Sequence, residues 1–284
     1  MVLPQHGGRP NNPRITIVIP AKNEARNLEI ILPLLPPVHE VILVDGHSVD
    51  GTPDVARRVL PAIQIVKQTR KGKGNALACG FAAATGDVIV MFDADCSADP
   101  AEIPRFVEAL RAGADFAKGS RFRPGGGSAD LTRLRRLGNA VLNLLANAVL
   151  GTRYTDLCYG YNAFWADILE QLALPDIGVS ALGDAAMLWG DGFEIETVIN
   201  CRIAVAALAV VEVPSYEKLR VHGASNLNAF SDGLRVLRTI NTERRRARRL
   251  RRRAVVVGSQ PASRPATPAL SLRLEDELST EQTA

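Results

Sequence analysis

The sequence has 284 residues, 46% of them hydrophobic, and a formal net charge of +4, values typical of a soluble protein with one large domain and short appendages. The four cysteines form no C-x-x-C pair, which excludes a disulfide framework and a zinc site. The longest apolar runs reach about half of the ~20 residues that a membrane span needs, which excludes a spanning helix.

The first half of the chain alternates between apolar strands and helices. Continuous apolar or β-branched runs predict strands at Ile15–Pro20, Glu40–Val44, Ile63–Lys67 and Val88–Phe92. Helices are expected between them, over Ala25–Leu35, over Thr52–Leu60 with Thr52 as the cap, and from a lysine-glycine loop to Ala84. This alternation predicts a mostly parallel sheet, in which ligands bind beyond the carboxyl ends of the strands.

Three polar segments follow strands of that sheet, namely Pro20–Glu24, Asp45–Asp50 and Asp93–Asp95. The third comes directly after the most apolar strand, and its two aspartates are two residues apart. Side chains at that spacing on a strand point to one side, so Asp93 and Asp95 are predicted to hold one hard cation such as Mg²⁺ or Mn²⁺. For this motif taken alone, the alternative is a pair of turn aspartates.

The second half of the chain contains longer predicted helices and fewer strands. Helices are expected over Pro100–Ala112, Leu131–Leu150, Phe193–Ala207 and Ser225–Thr239, and strands over Asp115–Lys118 and Ala209–Val213. Consecutive glycines predict a flexible loop at Pro124–Asp130. The domain is expected at residues 14–243, with a disordered leader at 1–13, a polybasic segment at 244–253 and a disordered tail at 254–284.

Eight short blocks along this domain carry its candidate functional residues. They are IVIPAKNE (17–24), ILVDGHSVDGT (42–52), KGKGNA (71–76), DAD (93–95), GSRF (119–122), GFEIE (192–196), EVPSY (212–216) and R-x-x-G-x-S (220–225). In this order they resemble the family-2 glycosyltransferases of the GT-A fold, and within them the polyprenyl-phosphate (dolichol-phosphate) mannosyl- and glucosyltransferase branch. The resemblance extends from about Arg14 to Thr239. It implies an α/β fold with a Rossmann-like, mostly parallel sheet flanked by helices and a C-terminal subregion on the acceptor side.

The resemblance also implies metal-dependent, inverting transfer of a hexose from a UDP- or GDP-sugar, with Mg²⁺ or Mn²⁺ as cofactor held by Asp93 and Asp95. The donor-binding residues that it implies are Pro20, Ala21, Asn23, Glu24 and Asp45 for the nucleoside, Lys73 and Gly74 for backbone approach to the nucleotide, and Asp93, Ala94, Asp95, Arg121 and Arg220 for the diphosphate. A departing nucleoside diphosphate develops negative charge, which a cation and bidentate guanidinium groups stabilise. The alternatives are a turn aspartate at Asp45, a solvated basic loop around Lys73, and surface roles for the two arginines.

A catalytic base is expected near the start of the Phe193–Ala207 helix, where the family carries an acidic pair. Glu196 is the first choice and Glu194 and Asp184 are its competitors, while helix-dipole stabilisation is the alternative for the pair. A hydroxyl acceptor requires a base, whereas an ionised phosphate acceptor needs none. The sequence has Ser97 where the polyprenyl-phosphate branch usually has Gln and Asn226 where it usually has Lys, which leaves the cation's other ligands and the acceptor open.

The favoured acceptor is a polyprenyl phosphate. The alternatives are a hydroxyl of a soluble small molecule, or a non-catalytic nucleotide-sugar-binding module. Since no secretory signal pattern is present, the protein is expected in the cytoplasm, peripheral at the inner face of the membrane.

Two segments bear on that membrane. Arg244–Arg253 contains eight arginines and is interpreted as a solvated helix extension or as an anchor to an anionic membrane surface. It is not interpreted as a nucleic-acid site, because no nucleic-acid-binding signature accompanies it. The aliphatic half of the Leu131–Leu150 helix is expected either to pack in the core or to lie at the membrane interface.

Overall fold

The computed structural model describes residues 8–179, 187–223 and 229–258. The strands are β1 (Ile15–Ala21), β2 (Glu40–Asp45), β3 (Gln64–Lys67), β4 (Val88–Met91), β5 (Phe116–Ser120), β6 (Gly127–Ser128), β7 (Asn162–Trp165), β8 (Val210–Pro214) and β9 (Tyr216–Glu217). The α-helices are α1 (Ala25–Ile31), α2 (Thr52–Val59), α3 (Lys73–Ala83), α4 (Ile103–Arg111), α5 (Arg133–Leu150), α6 (Leu169–Leu172), α7 (Ile195–Val205) and α8 (Ala229–Gly258). Residues 1–247 form one compact unit, and residues 248–284 are assigned to a second.

The main sheet has the strand order β3-β2-β1-β4-β7-β5-β8. Strand β7 runs antiparallel to both of its neighbours and the other pairs are parallel, which confirms the expected mostly parallel sheet. Strand β4 lies at the centre, and all four of its side chains are buried. Alternate residues of β1 face opposite layers, with Ile17 and Ile19 in one apolar cluster and Val18 in the other. The first layer includes side chains of α1, α2 and α4, and the second includes side chains of α3, α6 and α7.

Several predicted helix termini differ from the structure, and local contacts account for two of the differences. The first helix ends at Ile31 and continues as a 3₁₀ turn over Leu32–Leu34, because Pro33 has no N–H for an α-helical hydrogen bond. Thr52 is not the cap of α2. Its N–H and hydroxyl instead donate to the Asp50 carboxylate at 3.0 and 2.5 Å, and the residue before it, Gly51, has a φ of +82°.

Two segments expected to be disordered or flexible make specific contacts. The Arg9 guanidinium in the predicted leader pairs with Asp115 at 2.6 Å and Asp167 at 2.9 Å, while residues 1–7 lie outside the described part. In the loop at 124–130, strand β6 pairs with β9. A Cβ on Gly126 would come within 2.5 Å of the Ser120 carbonyl oxygen, so glycine at this position permits close backbone packing.

Helix α5 packs through polar side chains and exposes apolar ones. Asn139, Asn143 and Ala146 are buried, and Asn139, Asn143 and Asn147 bind residues 154–157 by hydrogen bonds. The exposed side chains, at 41–74% relative exposure, are Leu134, Leu137, Val141, Leu144 and Leu145. Of the two expected arrangements, core packing therefore applies only to part of this helix, where Leu142, Val149 and Leu150 are partly buried.

Helix α8 is longer than the predicted helix that ends at Thr239. It continues to Gly258 and so includes the arginine run and the first residues of the tail that the sequence predicts to be disordered. Glu243 attaches the helix to α7 by accepting hydrogen bonds from the Arg202 guanidinium at 3.1 Å. Within the described ranges, no helix is both long and apolar enough to cross a bilayer.

Candidate active site

The candidate site lies at the carboxyl ends of β1, β2 and β4, at the edge of the sheet where the sequence places it. The β1 and β2 loops are held together there by hydrogen bonds. The Gly46 N–H donates to the Ala21 carbonyl at 2.8 Å and the Asn23 N–H donates to the Ser48 hydroxyl at 2.9 Å. The Asp45 carboxylate is buried and accepts a bond from the Ser48 N–H at 3.2 Å, a turn contact that matches the alternative for this residue.

The two aspartates after β4 are both partly exposed. Strand β4 ends at Met91, yet burial still alternates, with Asp93 and Asp95 partly exposed and Ala94 and Cys96 buried. The strand on which their common side was predicted does not extend to these residues, so the shared cation site stays a prediction.

Asp95 belongs to a first chain of ion pairs, Glu24–Arg220–Asp95. The Arg220 guanidinium lies 2.9 Å from Glu24 Oε1 and 2.9 Å from Asp95 Oδ2. Burial opposes the charge of Arg220, but the two carboxylates outweigh it and raise the pKa of the guanidinium above its ordinary value. Ser97, at the position where Gln is usual, donates from its N–H and hydroxyl to Asp95 Oδ1 at 3.0 and 2.6 Å. Ser97 therefore fixes the Asp95 carboxylate.

The loop that carries Arg220 is attached to the site on both sides of that residue. On one side, the Lys218 N–H donates to the Ser97 carbonyl at 2.8 Å. On the other, the Asn27 side-chain amide of α1 donates to the His222 carbonyl at 3.2 Å and accepts from the His222 N–H at 3.1 Å. The His222 backbone, and not its ring, thus has a defined structural role.

Asp93 belongs to a second chain of ion pairs, Asp93–Lys73–Glu196. Lys73 Nζ is 2.7 Å from Asp93 Oδ1 and 2.8 Å from Glu196 Oε1. Burial opposes the charge of Lys73, but these carboxylates outweigh it and raise the pKa of the ammonium. Gly160 faces this group, and a Cβ there would lie 3.2 Å from both Glu196 Oε1 and Lys73 Nζ.

The charges of the two chains fit a divalent cation. Each chain has two carboxylates around one cation, so each has one excess negative charge, and the chains meet where only Ala94 separates Asp93 from Asp95. No group of three or more His, Cys, Asp or Glu side chains suited to a metal occurs among the described residues. Mg²⁺ is commonly bound by one or two carboxylates together with substrate phosphates, and the carboxylates of Asp93 and Asp95 are of the type that such a donor set needs.

The KGKG and GFEIE blocks contact each other directly. The Gly74 N–H donates to the Asp191 carbonyl at 2.7 Å, and a Cβ on Gly72 would come within 2.1 Å of the same oxygen. The Arg70 guanidinium holds the Asp191 carboxylate at 2.7 and 2.9 Å in a buried pair. The close backbone approach predicted for Gly74 is therefore made to residues 190–191 of the chain itself, which precede the acidic pair.

Two further candidate residues, Glu194 and Arg121, do not join the two ion-pair chains. Glu194 Oε1 accepts from the N–H groups of Gly190 and Gly192 at 3.0 and 3.2 Å. All three guanidinium nitrogens of Arg121 donate to Asp156 or Glu217, and the side chain is only 9% exposed, so its contacts in the structure are to carboxylates of the chain itself. Asp184, like Asn226, lies outside the described residues.

One residue that positions this site, Arg70, was not predicted from the sequence. It stands beside the KGKG block, but no local spacing reveals its distant ion-pair partner Asp191.

The chain is similar to known proteins in sequence and in fold. The family model described as Glycosyl transferase family 2 matches residues 16–173. The undecaprenyl-phosphate mannosyltransferase of Micrococcus luteus is 34% identical over 211 residues, which cover 71% of this chain and 82% of that protein. The polyprenol monophosphomannose synthase of Mycolicibacterium smegmatis is 30% identical over 227 residues, which cover 76% of this chain and 81% of that protein.

A solved structure with the same fold is glucosyl-3-phosphoglycerate synthase from Mycobacterium tuberculosis in complex with Mn²⁺, uridine diphosphate and glucosyl-3-phosphoglycerate. It superposes with a TM-score of 0.62 at 23% sequence identity, covering 82% of this chain and 80% of that chain. At this identity the likeness shows a common fold.

Proposed function

The chain belongs to glycosyltransferase family 2 and has the GT-A fold, and we propose that it transfers a hexose from a UDP- or GDP-sugar to a polyprenyl phosphate with the help of a divalent cation. Two similar proteins are named undecaprenyl-phosphate mannosyltransferase and polyprenol monophosphomannose synthase, and the M. tuberculosis structure contains Mn²⁺ and uridine diphosphate.

In this proposal Asp93 and Asp95 hold Mg²⁺ or Mn²⁺. When bound, the cation supplies positive charge to the departing nucleoside diphosphate. Arg220 contributes to the same stabilisation, because its guanidinium already lies at the metal carboxylate Asp95 and matches phosphate oxygens bidentately. Arg121 is left out of this role, since its guanidinium is only 9% exposed and already pairs with Asp156 and Glu217.

The nucleoside is assigned to the loops after β1 and β2, that is, to Pro20, Ala21, Asn23, Glu24 and Asp45. The hydrogen bonds between these loops fix their relative position before the donor binds, so less ordering entropy is lost on binding.

The observation that carries the choice of acceptor is the exposed apolar face of α5, formed by Leu134, Leu137, Val141, Leu144 and Leu145. Their spacing of three and four residues places them along one side of the helix. An exposed apolar strip of this kind, next to arginines such as Arg133 and Arg136, suits the surface of an anionic bilayer. A polyprenyl phosphate presents its phosphate at such a surface.

The charge state of the acceptor also suits the site. A phosphate acceptor is already ionised and needs no general base, and the Glu196 carboxylate is engaged by Lys73 at 2.8 Å. Glu196 is kept as the base for a hydroxyl acceptor, with Glu194 and Asp184 as weaker candidates. The arginine run of α8 is proposed to add attraction to the anionic inner face of the membrane, at roughly 1 kcal/mol per residue near the surface.

The test is a transfer assay with the full chain, Mn²⁺ and a panel of UDP- and GDP-hexoses. Each donor is offered a polyprenyl phosphate in anionic vesicles and, separately, a soluble hydroxyl acceptor. The expected result is transfer to the polyprenyl phosphate that chelation of the metal or Asp95→Asn abolishes. If the wild type transfers the hexose only to the soluble acceptor, that acceptor replaces the polyprenyl phosphate. If the wild type and Asp95→Asn both bind the donor and neither transfers the hexose, the protein is a binding module.

A further inference from the structure

Lys73 lies between two carboxylates, Asp93 and Glu196. The proposed function assigns Asp93 to the metal and does not assign Glu196 to it. Lys73 Nζ is 2.7 Å from Asp93 Oδ1, 3.0 Å from Asp93 Oδ2 and 2.8 Å from Glu196 Oε1. The Lys73 side chain is 17% exposed, so water competes weakly for these contacts. The ammonium therefore neutralises much of the charge that would attract a cation to Asp93.

The backbone around Lys73 is fixed. The next two N–H groups of α3, from Gly74 and Asn75, both donate to the Asp191 carbonyl, at 2.7 and 3.2 Å. The Asn75 side chain is buried and accepts from the N–H groups of Thr69 and Arg70 at 3.0 and 2.7 Å. Lys73 consequently changes its contacts by side-chain rotation and not by movement of the helix.

The Lys73 ammonium would compete with a metal ion for Asp93. The Asp93 side chain is 35% exposed, so solvent reaches it, but a cation arriving alone would meet a positive charge at hydrogen-bonding distance. A donor diphosphate changes this balance, because its negative charges attract the metal and offset the repulsion between the two cations. Glu196 remains as a second partner for Lys73 when the metal takes Asp93.

We propose that Lys73 is a positioning residue that holds Asp93 in the absence of donor, and thereby makes metal binding depend on the donor diphosphate. The inference rests on the proposed function, since it takes Asp93 as a metal ligand. Its consequence is an order of events in which metal and donor enter the site together.

The test measures Mn²⁺ affinity of the full chain by electron paramagnetic resonance, alone and with UDP or GDP. The wild type is expected to bind Mn²⁺ weakly alone and more tightly with the nucleotide that it accepts. In Lys73→Met, Mn²⁺ alone should bind more tightly than in the wild type. The factor by which the nucleotide increases the Mn²⁺ affinity should fall about tenfold, a change within the range usual for coupled sites. Lys73→Arg keeps the charge and should keep most of the factor.

The matched control is Lys67→Met, which removes an exposed lysine from the same edge of the sheet, at the end of β3, and should leave the factor unchanged. Circular dichroism melting checks that each variant is folded, and Lys73→Gln replaces Lys73→Met if the latter is not. An unchanged factor in folded Lys73→Met, or weaker Mn²⁺ binding both with and without nucleotide, would overturn the inference. A wild type that binds no Mn²⁺ with either nucleotide would instead overturn the proposed function.

Discussion

Gly74 of α3 lies against the carbonyl of Gly190, so closely that a Cβ on Gly74 would come within 1.8 Å of that oxygen. The contact joins the first turn of α3, which carries Lys73, to the segment just before α7, which carries Glu196. The two halves of the second ion-pair chain are thus held in register by a backbone contact that only glycine allows.

Gly74→Ala is therefore expected to destabilise the protein. Because the obstacle is backbone and not a flexible side chain, we expect a loss of about 2–3 kcal/mol in the free energy of unfolding, as for an overpacked core. Gly138→Ala is the control. Gly138 lies inside α5 with no atom within 4 Å of its Cβ position, so alanine should stabilise by about 0.5–1 kcal/mol. Urea denaturation of both variants checks this, and equal effects would contradict the predicted contact.

Glu196→Gln should separate the two classes of acceptor. Glutamine keeps the size of the side chain but takes up no proton at neutral pH. With a polyprenyl phosphate, turnover at saturating donor and Mn²⁺ should fall by less than about tenfold, whereas with a hydroxyl acceptor the loss of a base should cost about 10²- to 10⁴-fold. Steady-state assays decide between these outcomes. A loss above a hundredfold with the phosphate acceptor would show that Glu196 is needed for more than proton transfer.

The exposed face of α5 predicts membrane binding. Leu137 and Leu144 are 64% and 70% exposed, so changing both to glutamine should alter the free energy of unfolding by only about 0.5 kcal/mol per site. Binding to vesicles of phosphatidylglycerol and phosphatidylcholine should nevertheless weaken about tenfold or more, because each leucine loses up to about 1.5–3 kcal/mol of apolar burial. Leu34→Gln, at a leucine 61% exposed elsewhere, is the control. Co-sedimentation that weakens equally in both proteins, or in neither, would contradict the assignment of this face.

Asp156 predicts part of the acid sensitivity of the fold. Burial raises the pKa of its carboxyl group, but hydrogen bonds and charge from Arg121 and charge from Lys118 outweigh it and hold the pKa below its ordinary value. The unfolded chain therefore binds the proton more readily, so this contribution to stability is present above about pH 4 and is lost as pH falls through the lower native pKa.

Asp156→Asn should remove that contribution and leave Arg121 without its main partner, at a cost of about 3–5 kcal/mol at neutral pH. Urea denaturation between pH 3 and pH 7, where ~4 marks the unfolded carboxyl pKa, should give a shallower decline for the variant than for the wild type. If the free energy of unfolding declines identically with falling pH in both proteins, Asp156 is excluded as a source of the acid sensitivity. Asp50 and Asp87, whose pKa values are also lowered by hydrogen bonds, keep some slope in both proteins.

The sheet and the position of the site were predictable from local patterns. Apolar runs such as Val88–Phe92 indicate strands buried on both faces, and alternation with helices makes them parallel, so the polar segments after β1, β2 and β4 must meet at one edge. The antiparallel β7 was not predictable in this way, because its short run lies inside an aromatic segment without a turn signal. The burial of Lys73 between Asp93 and Glu196 depends on contacts between residues far apart in the chain, which no local spacing encodes.

The side of α5 that is buried could not be predicted from its sequence pattern, for a different reason. A periodic pattern shows that a helix has an apolar side and a polar side, but the interior is taken to be apolar by default. Here Asn139 and Asn143 face inward because residues 154–157 offer backbone groups and the Asp156 carboxylate that need partners. The two asparagines are four residues apart and so lie on the same side of the helix. That side is recognised as the buried one only from its contacts with residues 154–157.

That arrangement separates two kinds of sequence change along one helix. Substitutions among the inward asparagines disturb the segment that leads to Gly160 and hence the fold. Substitutions among the outward leucines change the exposed apolar surface of α5 and leave the fold intact. Under the proposed membrane role, substitutions at the outward positions alone can change the affinity for a membrane surface, while the residues at the edge of the sheet stay unchanged.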